Sequence, residues 1–174
     1  MKTLVALTKY SEQGASSRVR FVNLFSYLES LGWRVVWYPL LTNDILDQFY
    51  QTGEHPLGAI ASAYCKRIRK IIALEEPSVW WIEKELYYGV PEFLESSIAR
   101  HIIPKSVIDY DDGVYLNYAA EKELPLGRYQ KFAQYAKSAA VITYGSEGIG
   151  RQFKSWGARK MLKIPSTVDV HAYA

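Results

Sequence analysis

The chain alternates short apolar runs of strand length with longer stretches whose apolar residues recur at helical spacing, and it does so almost from end to end. Thr3 to Leu7 is a short apolar run, the pattern of a strand buried on both faces. Polar residues follow from Thr8 to Ala15. Phe21, Leu24, Phe25, Leu28 and Leu31 then share one side of a helix that Ser16 or Ser17 caps and Gly32 closes, because glycine readily takes the left-handed conformation of a helix end. Arg34 to Tyr38 is the next strand, stopped by Pro39. A strand–helix–strand unit of this kind predicts parallel neighbours joined by a right-handed crossover.

The alternation continues. Asn43 caps a short helix to Tyr50, and Gly53 to Pro56 is a break. A longer helix spans about Leu57 to Glu75, with Ile60, Tyr64, Ile68, Ile71 and Ile72 on one side and Pro77 after it. Val79 to Ile82 is a strand, Pro91 to Ala99 a helix, and Ser106 to Asp109 a strand. A polar excursion from Leu116 to Gly127 leads into a helix from Arg128 to Lys137. Ala140 to Thr143 is a strand, Ser146 caps a helix that Gly157 ends, and Met161 to Ile164 is the last strand before Pro165. This order predicts an α/β fold: a Rossmann-like, doubly wound parallel sheet in a single domain, which the 174 residues suit.

Composition narrows the function classes. A net charge of +3 is too mild a basic footprint for a nucleic-acid binder. The single Cys65 cannot form an internal disulfide and fits a reducing compartment, and one Cys with three scattered His gives no zinc-ligand spacing. The apolar run after Lys2 is too short for a signal peptide and is closed by Lys9, and no stretch is long enough to cross a bilayer. The expected location is the cytoplasm, compatible with peripheral contact at the inner face of a membrane. The 14 Tyr and 5 Trp are chiefly packing residues, though Tyr also suits sugar or lipid contact.

The candidate chemistry follows the strands, where a parallel sheet gathers its ligands. Val107-Ile108-Asp109-Tyr110-Asp111-Asp112-Gly113 runs from an apolar strand into three carboxylates. Such crowding needs solvent or a nearby positive or proton-donating group, and an Asp- and Gly-rich solvated turn is the plain alternative. After the Trp80-Trp81 strand comes Glu83-Lys84-Glu85-Leu86-Tyr87-Tyr88-Gly89, in which Glu85 is either a surface acid or a cleft carboxylate that binds hydroxyls or shares acid–base work. Gly14-Ala15-Ser16-Ser17-Arg18-Val19-Arg20 combines small residues, which let a backbone approach a ligand, with a helix N-terminus that attracts anions. It carries only one Gly, so it is not a dinucleotide fingerprint. Arg18 and Arg20 sit where a helix dipole disfavours cations, and a phosphorylated ligand or a nearby acid such as Glu12 would offset that. Remaining segments after strands are Tyr144–Glu147 and Ser166–Asp169. Lys66, Arg67, Arg69 and Lys70 flank an apolar stripe; they form either a solvated outer face or a membrane- or partner-docking surface. Asp109-Tyr110-Asp111 also spells a D-x-D, which would suit a hard metal cation.

In order and spacing, the chain resembles the amino-terminal domain of GT-B type, family 4 ("group 1") glycosyltransferases. The likeness is carried by Trp81-Ile82-Glu83-Lys84-Glu85-Leu86 with Gly89-Val90-Pro91 and Phe93-Leu94-Glu95, by Val107 to Gly113, by Ala140-Val141-Ile142-Thr143 through Ile164 to Asp169, and by Gly14 to Arg20. It covers essentially the whole chain. The resemblance implies transfer of a sugar from a nucleotide-sugar donor to a glycan or lipid-linked acceptor, with retention, without a metal and with no cofactor beyond the donor as co-substrate. It implies that residues 1–174 form the acceptor-side domain. Gly14, Ala15, Ser16 and Arg18 would line the cleft near acceptor or diphosphate, and Glu85 would reach toward acceptor. Asp111 would fall where many relatives carry a His near the transferred sugar, with Asp112 beside it as the second catalytic candidate. The donor-binding carboxy-terminal domain, with its paired-Glu motif, is not in these residues. The chain alone is therefore expected to be inactive, as a truncated enzyme or half of a split one, with that domain as its partner.

Overall fold

The six apolar runs become six strands: β1 (Lys2–Tyr10), β2 (Trp33–Leu41), β3 (Val79–Glu83), β4 (Ser106–Tyr110), β5 (Val141–Tyr144) and β6 (Met161–Lys163). They make a six-stranded, all-parallel sheet flanked by helices, a Rossmann-like α/β fold. The computed structural model describes residues 1–54, 56–75, 77–122 and 127–167. Its contacts divide it into two units, Met1–Ser78 and Val79–Ala174. Val168 and Asp169, expected to follow the last strand, lie outside the described residues.

In the first unit β1 and β2 pair in parallel, with Leu4 opposite Val35 and Leu7 opposite Tyr38. Leu4, Val5, Ala6 and Leu7 are buried, as a strand covered on both faces requires. Both strands overrun their expected ends. β2 continues through Pro39 to Leu41, which gives Thr8 and Tyr10 of β1 partners in Pro39 and Leu41. Proline removes a ladder hydrogen bond only where a neighbour needs its N–H, and β2 is the edge of the sheet.

The helical run after β1 comes in three pieces: α1 (Ala15–Ser17), a π-helical turn Arg18–Val22, and α2 (Asn23–Ser30). Neither Ser16 nor Ser17 caps it. Gly14 holds the cap position without a side-chain bond, and the Ser17 hydroxyl instead accepts the Tyr10 N–H at 3.1 Å. Gly32 follows with φ +84°, the left-handed close expected of it. Two further helices, α3 (Asn43–Thr52) and α4 (Leu57–Ala73), complete the unit.

The second unit contains β3-β4-β5-β6 in that order, with α5 (Glu92–Ile102), α6 (Arg128–Ser138) and α7 (Glu147–Ser155). A 3-10 segment, Val114–Glu121, occupies the described part of the expected polar excursion. Ile82 pairs with Ile108, and Ile108 with Ile142, a buried aliphatic row across three strands. Tyr110 lies against Phe153 and Phe132, with ring centroids 4.2 and 6.2 Å away, and Tyr115 packs edge-on to Trp156 at 5.1 Å. Much of the aromatic content of this unit is thus core, where edge-to-face pairs add about 0.5–1.5 kcal/mol each beyond burial.

Candidate functional site

One residue past the aliphatic row the strands turn polar. Glu83 of β3 pairs with Asp109 of β4, and Asp109 with Thr143 of β5. All three are buried, and the Thr143 hydroxyl donates to Asp109 Oδ1 at 2.5 Å. Strand alternation then sends Tyr110 to the opposite face, into the aromatic cluster. Its hydroxyl is fully buried, and burial pushes it well above the usual tyrosine range, with Glu85, Glu95 and Asp109 adding to the effect.

Beyond the strand ends the backbone is strained. Lys84 has φ +60°, and among the described residues it is the one non-glycine residue with positive φ. The Glu85 N–H donates to the Glu83 carbonyl at 2.6 Å, so Lys84 is the centre of a γ-turn, a conformation rarely adopted by a residue with a side chain. The Lys84 N–H donates to the Asp109 carbonyl at 3.0 Å, extending the β3–β4 ladder by one bond. This turn aims the ammonium at the acids: Nζ is 2.8 Å from Asp111 Oδ1 and 2.9 Å from Asp112 Oδ2. Partial burial pulls the Lys84 ammonium down, but the hydrogen bonds and charges of Asp111 and then Asp112 outweigh it and hold the group above the ordinary lysine range. Asp112 is open to solvent and Asp111 mostly covered, with side-chain exposures of 62% and 18%. Gly145, after β5, backs the turn closely: a Cβ there would lie 3.1 Å from the Asp111 carbonyl oxygen.

Asp111 and Asp112 are therefore brought together, on a cation that sequence reasoning did not single out. Lys84 stands between two acids in the sequence, and its true partners lie 27 and 28 positions later. The signal was the crowding itself, which demanded a counter-charge.

Glu85 does not join them. Expected at a cleft rim, it is fully buried and ion-paired to Lys131 of α6, with Oε2 2.7 Å from Nζ, and it accepts from the Tyr118 hydroxyl at 3.2 Å. The reason is the γ-turn, since reversing at Lys84 sends the next residue inward. Lys131 also has Glu95 Oε2 at 3.6 Å, and the Tyr135 hydroxyl hydrogen-bonds Glu95 Oε1. Burial raises the Glu95 carboxyl to about 7, against the opposing pull of Lys131 and Tyr135. Lys131, Glu95 and Tyr135 were all missed. Lys131 and Tyr135 are four apart on α6 and so share a helical face, which was the available signal.

In the first unit Gly14, Ala15, Ser16 and Arg18 lie past the end of β1. The Gly14 N–H donates to the Ser11 carbonyl, and the Arg18 guanidinium closes the same turn on the Glu12 carbonyl at 2.8 Å. Gly14 has a packing reason to be small: a Cβ there would come within 2.3 Å of Tyr10 Cβ. Ala15 is exposed, and Ser16 and Arg18 are half-buried. Arg20 is buried within the π-turn.

The basic helix divides. Lys66, Arg69 and Lys70 are exposed, and the Lys70 ammonium lies 4.6 Å from the centre of the Tyr38 ring. Arg67, expected among them on the outer face, is instead buried. Its guanidinium donates to the Tyr38 carbonyl at 2.8 Å and to that of Thr8. No helix of the described residues is long and apolar enough to cross a membrane. The D-x-D reading loses its geometry, because Asp109 is buried on Thr143 while Asp111 turns to Lys84. No group of three or more His, Cys, Asp or Glu among the described residues is arranged to hold a metal.

Fold and site together define an α/β domain with a lysine-bridged acid pair past the ends of adjacent parallel strands. Neither any protein-family profile nor any curated protein matches the chain.

Proposed function

We propose that this chain is the acceptor-side, Rossmann-like half of a GT-B type sugar transferase, which works with a second domain that holds the nucleotide-sugar donor. The observation that carries the reading is the pairing of Lys84 with Asp111 and Asp112 beyond the carboxyl ends of β3 and β4, the edge where open parallel sheets bind ligands. A carboxylate there can hold an acceptor hydroxyl by accepting its hydrogen bond and can increase its nucleophilicity as proton density leaves it. In the transfer, the hydroxyl oxygen forms the new bond to the anomeric carbon and the nucleoside diphosphate departs with the bonding pair of the old one. Asp111 is the residue assigned to the hydroxyl. Asp112, more open, orients the acceptor, and Lys84 bridges the two adjacent carboxylates. Gly14, Ala15, Ser16 and Arg18 remain the proposed acceptor contacts of the first unit. Glu85 acts from inside the fold.

The test is nucleotide-sugar consumption by the chain supplied with a donor-binding domain. Asp111→Asn should lower turnover at least about 100-fold while leaving the circular dichroism spectrum unchanged. Turnover equal to wild type would remove Asp111 from the reaction.

A further inference from the structure

Lys131 is wholly buried, and its ammonium has three protons. It donates to the Tyr87 carbonyl at 2.8 Å and the Val90 carbonyl at 2.9 Å and is ion-paired to Glu85 Oε2 at 2.7 Å. All three belong to one stretch of chain between β3 and α5. A buried ammonium is costly to desolvate, and an apolar side chain of similar length would fill the same volume without that cost. An apolar side chain would, however, leave the Tyr87 and Val90 carbonyls without this donor and the buried Glu85 carboxylate without a counter-charge. What the lysine adds over an apolar residue is a fixed path for the backbone from residue 85 to residue 90.

That path begins one residue after Lys84. A residue with a side chain persists at positive φ only where its surroundings hold it there. On the upstream side the β3–β4 ladder does so, through Glu83 opposite Asp109 and the Lys84 N–H on the Asp109 carbonyl. On the downstream side the chain leaves the sheet, and the anchors are Lys131, the Tyr118 hydroxyl on Glu85 Oε1 at 3.2 Å and the bond from the Leu86 N–H to the Tyr135 hydroxyl at 3.3 Å. Lys131 grips this stretch at three points, and the nearest of them is the residue that follows the strained turn.

We infer that Lys131 is a positioning residue: through Glu85, Tyr87 and Val90 it holds the strained turn that keeps the Lys84 ammonium on Asp111 and Asp112. Its bearing on a reaction rests on the sugar-transfer reading, whereas the clamp itself does not. Lys131 touches neither acid of the pair and acts only through the turn. A lysine that merely filled the core would leave Lys84 where it is when replaced by a side chain of similar size.

The experiment measures the rate at which an amine-acetylating reagent modifies each lysine of the 174-residue chain, by mass spectrometry of its peptides. In wild type Lys84 should be protected relative to the exposed Lys66 and Lys163. In Lys131→Met the Lys84 rate should rise about tenfold, as a local opening would allow, while Lys66 and Lys163 keep theirs. A folded Lys131→Met protein whose Lys84 reacts at the wild-type rate would overturn the inference. Should Lys131→Met fail to fold, Glu85→Gln is read in the same way, since it keeps the shape of one anchor and removes its charge. A rise at Lys84 supports the clamp, and unchanged protection overturns it. Activity separates the two readings. If neither wild type nor variant transfers sugar with a donor domain present, the transferase reading fails and the labelling result still stands. If sugar is transferred but Lys84 labelling never changes, the clamp fails and the transferase stands.

Discussion

Two lysines of the second unit each face two carboxylates, and they differ chiefly in water. Lys131 meets Glu85 and Glu95 with every side chain of the group essentially sealed, at 0%, 0% and 1% exposure. Lys84 meets Asp111 and Asp112, and one of its acids is 62% exposed. Water screens the attraction in the second cluster and can take the place of Asp112, whereas nothing replaces a partner in the first. The same pairing of charges therefore fixes backbone in one place and presents exchangeable charge in the other.

The most severe test of that contrast is truncation. Lys131→Met strands two buried carboxylates and should lower unfolding free energy by about 3–5 kcal/mol. Lys84→Ala should lower it by about 1–2 kcal/mol, since Asp112 can turn to solvent. Urea denaturation of both variants gives the two values, and equal losses would erase the distinction.

Titration sharpens it next. Glu95 is held at about 7, above its ordinary 4.5, so the folded chain binds more protons than the unfolded one between those values. Stability should then fall as pH rises from 4.5 to 7, by at most about 3 kcal/mol from this group. Glu95→Gln should flatten that slope in denaturation measured at pH 5, 6 and 7, and an unchanged slope would acquit Glu95. Lys84 behaves differently. Its folded value lies above 10.5, so its contribution is complete below that pH and is lost only as pH climbs through the raised value. The two clusters should respond in separate pH windows.

The smallest effect concerns backbone alone. Lys84→Gly and Lys84→Ala remove the same charge, but glycine accepts φ +60° without a steric cost. The glycine variant should be more stable by about 1 kcal/mol in the same urea experiment. Equal stability would mean that the turn relaxes once the ammonium is gone.

Periodicity made the sheet legible, and it failed where a residue's environment is set from far along the chain. The runs at Thr3–Leu7 and Val79–Ile82 follow from local chemistry and lie within longer strands, and Gly32 makes the left-handed close read for it. Pro39 misled because a proline stops a strand only where another strand needs its N–H, and an edge position is not visible locally. Lys131 was passed over because nothing local marks a helix charge as buried, and the partners that make it tolerable come from residues 85, 87 and 90. Glu85 was recognised as unusual, but its direction depends on the φ of the residue before it. The acid pair at Asp111 and Asp112 was legible through its crowding, while the cation that resolves the crowding was not.

Arg67 and Pro39 have a consequence at the sheet's outer border. A bare strand border is a template onto which another chain can add by backbone pairing. On β2 the Tyr38 carbonyl faces β1, where the Arg67 guanidinium holds it together with the Thr8 carbonyl, and on the opposite side of the same peptide Pro39 has no N–H to offer. One donor is thus missing from the border, which weakens backbone pairing with an incoming strand there.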